Sequence, residues 1–159
     1  MTDDGTTPSA LTRTTLDALT LDAPDAPRRR FDAEHGHMWQ WVPQRGPLIS
    51  MTVAVRTQTR LADPEGVRGH LLWELRRHRD AMDIPADAVL DRALPVHVAG
   101  AMGIAAAGAV EGIRSGVRMH NRVVVTTDGA DMYVVHVAAA GTDEGRRIAD
   151  ELTAGLALS

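Results

Sequence analysis

Apolar and polar residues alternate most regularly between Leu48 and Thr57. Ile49, Met51, Val53 and Val55 fall on one side, and Ser50, Thr52 and Arg56 on the other, which is the period of a half-buried strand. Two shorter strands precede it, Arg28 to Asp32 and His37 to Val42, around Ala33-Glu34-His35-Gly36. Pro43 and the Arg45-Gly46-Pro47 turn end the second of them. The period then lengthens to that of a helix. Asp63 is placed to cap it, Pro64 suits its first position, and Glu65 suits the positive end of its dipole. Val67, Leu71, Leu75, His78 and Met82 share one face, with His70 and Glu74 on its flank. Pro85 closes the element.

The C-terminal half returns to period two. Leu94 to Val98 reads as a short strand. Gly100 to Glu111 reads as another, because its glycines would each weaken a helix. Val117 to Thr127 is a stronger strand, Asp128-Gly129 is a two-residue hairpin signal, and Met132 to Ala139 returns antiparallel. Thr142 caps a last helix that Ile148, Leu152 and Leu156 dock. Hairpin, strand, helix, three-stranded meander and helix make an α+β domain, an antiparallel sheet flanked by helices. The domain is expected over residues 28–159. Residues 1–27 are rich in Thr, Asp, Ala and Pro and contain no aromatic residue, so they read as a flexible N-terminal tail. Leu11, Leu16, Leu19 and Leu21 are spaced for a short helix or docking segment there, soon interrupted by Pro24 and Pro27.

Composition narrows the chemistry. The 159 residues suit one domain. All 17 basic residues are arginine, so no lysine is present for a Schiff base or a phosphate-cradling loop. A net charge of −4 disfavours a phosphate-driven nucleic-acid binder. The absence of cysteine removes disulfides, thiolate nucleophiles and thiolate zinc sites. The N-terminal stretch with Asp3 and Asp4 does not resemble a secretory signal, and no apolar run reaches spanning length. These features predict a cytoplasmic protein without membrane insertion.

Few residues carry chemistry. None of Ser9, Ser50, Ser115 and Ser159 lies in a nucleophile elbow, and Ser115 reads as a turn residue. His35 and His37 share a face on a strand, and His70, Glu74 and His78 share a helical stripe. No closed metal motif results, so neither metal nor cofactor is expected. Asp63, Asp83, Asp87, Asp91 and Asp128 suit caps and turns and form no acid–base pair. Gly100-Ala101-Met102-Gly103 lacks the basic residues of an RNA-clamping loop. Trp39 and Trp41 are two apart, hence on one side of a strand, with His37 beside them and Arg28, Arg29, Arg30 and Arg45 around them. They either cover the core or form an aromatic anchor pair.

The stretch from Leu48 onward resembles the PsbP-like αβα-sandwich superfamily, which includes DcrB- and LpqN-type bacterial proteins. The likeness is carried by Pro95-Val96-His97-Val98-Ala99-Gly100-Ala101, the strand from Arg118 to Val125, and Asp128-Gly129 before Met132-Tyr133-Val134-Val135. It lies in element order and small-residue placement. Trp39-Gln40-Trp41-Val42-Pro43 reverses the aromatic-Pro-x-x-Trp entry usual in the secreted members. The resemblance implies a non-enzymatic protein-binding module: an adaptor, chaperone or accessory subunit that engages another protein or peptide. On this reading Trp39, Trp41, Arg45 and His37 border the partner surface and no residue is catalytic. The alternative is a small-molecule-binding protein or enzyme with a His-containing pocket near Trp39 and Trp41.

Overall fold

Alternation along the chain is realised as strands in a computed structural model that describes residues 11–24, 27, 29–33, 36–42, 46–57, 64–85, 94–95, 98, 100 and 104–158. In chain order the elements are β1 (Thr12–Leu16), β2 (Leu19–Ala23), β3 (Arg29–Ala33), β4 (Gly36–Trp41), β5 (Leu48–Arg56), α1 (Pro64–Asp80), β6 (Ile84–Pro85), β7 (Leu94–Pro95), β8 (Ala105–Arg114), β9 (Val117–Thr127), β10 (Met132–Ala140), α2 (Asp143–Ala154) and β11 (Ala157–Leu158). The main sheet has eight strands. Its order is β3-β4-β5-β10-β9-β8-β6, with β7 also paired to β8, and every pairing is antiparallel.

Both faces of this sheet are buried against helices. Val123, Val125, Met132 and Val134 pack with Val67, Leu71 and Leu75 of α1. Val124, Tyr133, Val135 and Val137, whose side chains point the other way, pack with Ala149 and Leu152 of α2. The fold is therefore α+β, an antiparallel sheet flanked by helices. Covering on both faces explains why β9 and β10 read as almost continuous apolar runs and not as clean alternations. Thr142 caps α2 as expected, its hydroxyl accepting from the Gly145 amide at 3.1 Å. Asp63 and Arg45 lie outside the described residues.

The N-terminal segment differs from expectation. Residues 12–23, expected within the tail, form the β1–β2 hairpin, and β11 adds to β2 to make a second, three-stranded sheet. Leu16, Leu19, Leu21 and Ala23 are buried in the core on the α2 side. The physical reason is the strict alternation of Leu19-Thr20-Leu21-Asp22-Ala23, whose buried positions are Leu19, Leu21 and Ala23. Polar ties complete the docking. Arg13 donates to the Gly155 carbonyl at 2.6 Å, and Asp17, at the hairpin turn, meets His37 of β4 at 2.6 Å. Residues 1–10 are outside the description.

Two turns also differ. β9 and β10 close at Thr127↔Met132, so the loop has four residues and not two. Asp128 organises it by accepting from the amides of Ala130 (2.9 Å) and Asp131 (2.8 Å), and Gly129 takes φ +96°. The two-residue turn is Ser115-Gly116 between Arg114 and Val117, with both residues at positive φ as a type I′ turn requires. In β5 the expected inward Ile49 is exposed. The pairing passes from Ala138↔Ser50 to Ala139↔Leu48, a bulge that leaves Ile49 without a partner and turns Leu48 inward instead.

Leu21 has no exposed surface. Leu21→Ala is expected to destabilise the protein by about 2–5 kcal/mol, read from chemical denaturation. An unchanged midpoint would return this segment to the status of a tail.

Candidate functional site

Strand geometry places Trp39 and Trp41 on one side, as their spacing requires, and that side faces the core. They are 9% and 2% exposed and pack with Met51 and Val53. The expected anchor pair is therefore interior, because both faces of the sheet are covered and the α2 side receives these rings. His37 stands edge-on to Trp39 at 4.5 Å and is engaged by Asp17. Arg30 lies over Trp39, its guanidinium carbon 5.7 Å from the ring centroid. This region joins the N-terminal hairpin to the sheet.

A polar cluster occupies the opposite face. Helical spacing sets His70, Arg77 and His78 at i−4, i+3 and i+4 around Glu74. Glu74, expected on the helix flank, is only 2% exposed. Arg77 Nη2 donates to its Oε2 at 2.8 Å. His70 Nε2 lies 3.4 Å from Oε1 and His78 Nε2 3.7 Å from Oε2. Both distances are within ion-pair reach, yet neither nitrogen makes a hydrogen bond among the described residues. Burial pushes the Glu74 carboxyl upward, but the close contacts of His70 and then Arg77 outweigh it and bring it down to about 2. The cluster continues into the sheet. His78 stacks on His136 of β10, centroids 3.9 Å apart and planes 22° apart, and His136 Nε2 meets Asn121 Oδ1 of β9 at 2.9 Å. Burial, then the neighbouring His78, lowers His136 to about 3; burial lowers His78 as well.

At the outer edge of this cluster stands Trp73, 49% exposed. Its ring lies 5.3 Å from the Arg77 guanidinium carbon and 5.5 Å from the His70 ring. Of the two residues that flank it, Arg77 is bonded to Glu74 and His70 lies against the same carboxylate, so the exposed ring sits over the buried charge. Nothing in the sequence marks Trp73 by itself. The signal was the i−4, i+3, i+4 arrangement of three basic side chains around one glutamate.

A second network fixes α2. Glu111 takes the guanidinium of Arg146 on both carboxylate oxygens and His120 Nδ1 at 2.8 Å, and Arg146 also reaches Asp143 at 2.9 Å. Arg146, and against it burial, then His120, set the Glu111 carboxyl below its ordinary range. A shallow cavity of about 270 Å³ lies beside it, lined by Ile84, Ile113, Arg118 and Met119 among others. It is lined by neither Trp39 nor Trp41. Among the described residues no three His, Asp or Glu side chains gather to hold a metal ion, and no helix is long and apolar enough to cross a membrane. No family model matches the chain, and the search of curated proteins finds no relative.

The half-buried imidazoles set a pH dependence. His136 binds its proton near 6.5 when unfolded and near 3 when folded, so the unfolded chain takes up protons first. Stability is complete above about 6.5 and falls as pH drops toward 3. Glu74, lowered from 4.5 to about 2, adds a further loss as pH falls below 4.5. Denaturant midpoints measured from neutral to acid pH should decline beginning near pH 6.5, and His136→Asn should flatten the upper part of that decline. A midpoint constant from pH 7 to pH 5 would contradict it.

Proposed function

We propose that this chain is a non-enzymatic protein-binding module and that the flank of α1 bearing His70, Trp73 and Arg77 is its docking surface. The observation that carries this reading is Trp73: a large aromatic half in solvent, bracketed by Arg77, which is bonded to the buried Glu74, and by His70, which lies against it. Trp and Arg are the residues that most often dominate binding energy at interfaces, and a pre-positioned anchor loses less freedom on binding. The Glu74 carboxylate is taken up by Arg77 and lies against both histidines, which favours recognition over turnover. The layering of α1, sheet and α2 supports grouping the chain with the PsbP-like αβα sandwiches, whose adaptor and accessory members suggest the same class of role.

A photoreactive residue installed at position 73, and separately at exposed Arg147 of α2, tests the proposal in cells of the source organism. One protein should cross-link from position 73 and not from position 147. The purified partner should then bind Trp73→Ala with affinity reduced on the order of tenfold, while the melting temperature is unchanged. Equal labelling from both positions, or an unaltered affinity, would remove Trp73 from the interface.

A further inference from the structure

The two ends of the main sheet are unlike each other. At one end β6 has two residues, and Pro85 lacks an amide hydrogen to donate. At the other end β3 has five residues, Arg29-Arg30-Phe31-Asp32-Ala33, and among the described residues no strand pairs with its outer side. Open edges invite pairing, and proteins usually blunt them with charges that repel a second copy. The charges on β3 have the opposite effect. Arg30 and Asp32 are both exposed, share one face with opposite signs, lie symmetrically about Phe31, and within one chain meet only loosely, at 3.6 Å, so both can exchange that contact for the strand opposite.

We propose that β3 pairs with β3 of a second copy of this chain, antiparallel, about a two-fold axis through Phe31. In that register position 30 of each copy stands opposite position 32 of the other, and position 29 opposite position 33. The Arg30 of each copy then meets the Asp32 of the other, making two such pairs, one on each side of the axis, and directly opposed unlike charges stabilise antiparallel strands. Positions 30 and 32 have the same strand parity, so their backbone groups point the same way and the ladder alternation holds in both copies. Phe31, 42% exposed, meets its own symmetry mate on the α1 side. The contact is isologous and closes as a dimer. It is also small, of the size found in weak and transient associations, so the dimer is concentration-dependent. It does not depend on the role assigned to Trp73.

The self-complementary charges supply the test. Sedimentation velocity on the full chain, from micromolar to millimolar concentration, should show a monomer–dimer equilibrium. Arg30→Asp alone sets acid against acid, and Asp32→Arg alone sets base against base. Each should weaken self-association on the order of tenfold. An equimolar mixture of the two single variants should recover the dimer as a heterodimer, because both cross-strand pairs are then of opposite sign. The double variant R30D/D32R should recover it as a homodimer. Circular dichroism confirms that each variant is folded. A wild-type chain that stays monomeric over the whole range would overturn the proposal and leave this edge to a foreign strand. So would a dimer indifferent to the single substitutions, or a mixture that stays monomeric.

Discussion

The fold depends on the position of β10. It is hydrogen-bonded to β5 on one edge and β9 on the other, and its two faces enter the two separate cores. A one-residue slip of this strand would exchange Tyr133, Val135 and Val137 with Met132, Val134 and His136, sending an imidazole into the α2 core. Register is therefore tightly specified here, and the parity it sets passes outward through the ladder. It turns Trp39 and Trp41 toward α2 and His136 toward α1. The N-terminal hairpin can then close over the α2 side, where Leu19 and Leu21 complete the apolar layer.

The polar cluster is the exception within this arrangement, and its cost is electrostatic. A carboxylate removed from water is tolerated only when paired, and Glu74 is surrounded by His70, Arg77 and His78. His136 lies beyond them, held neutral first by burial and then by the His78 ring stacked against it. An apolar substitute could fill the same space. What it would not do is hold Arg77 and His70 on either side of Trp73. The buried charge thus links the core to the one aromatic side chain that α1 presents to solvent.

Much of the fold was legible in the sequence because local signals agreed with the global arrangement. The Pro64-Glu65 start, the Val67-Leu71-Leu75 stripe, the Thr142 cap and the valine runs of β9 and β10 each belong to the element they indicated. The hairpin at residues 12–23 was hidden because its partner, β11, lies at the far end of the chain, and short Thr- and Asp-containing strands resemble a tail in composition. Asp128-Gly129 suggested a two-residue turn, yet the Asp128 side chain bonds two amides and holds a longer loop, while Ser115-Gly116 makes the tight one. For the site, spacing established that Trp39 and Trp41 share a side. It could not say which side, since a sheet covered on both faces gives no outward direction. Glu74 read as a flank residue because its burial depends on His136 and the sheet beneath it, which no helical pattern contains.

On the proposed reading, Glu74 and the residues packed against it keep the Trp73 ring in place. Nitrogen-15 relaxation of the Trp73 indole N–H measures this directly. In the wild-type chain its order parameter should approach that of the rigid backbone, about 0.85. In Glu74→Gln it should drop toward that of a free surface side chain, while the backbone of β10 stays rigid. An indole already as mobile in the wild type as in the variant would show that Glu74 does not restrain Trp73.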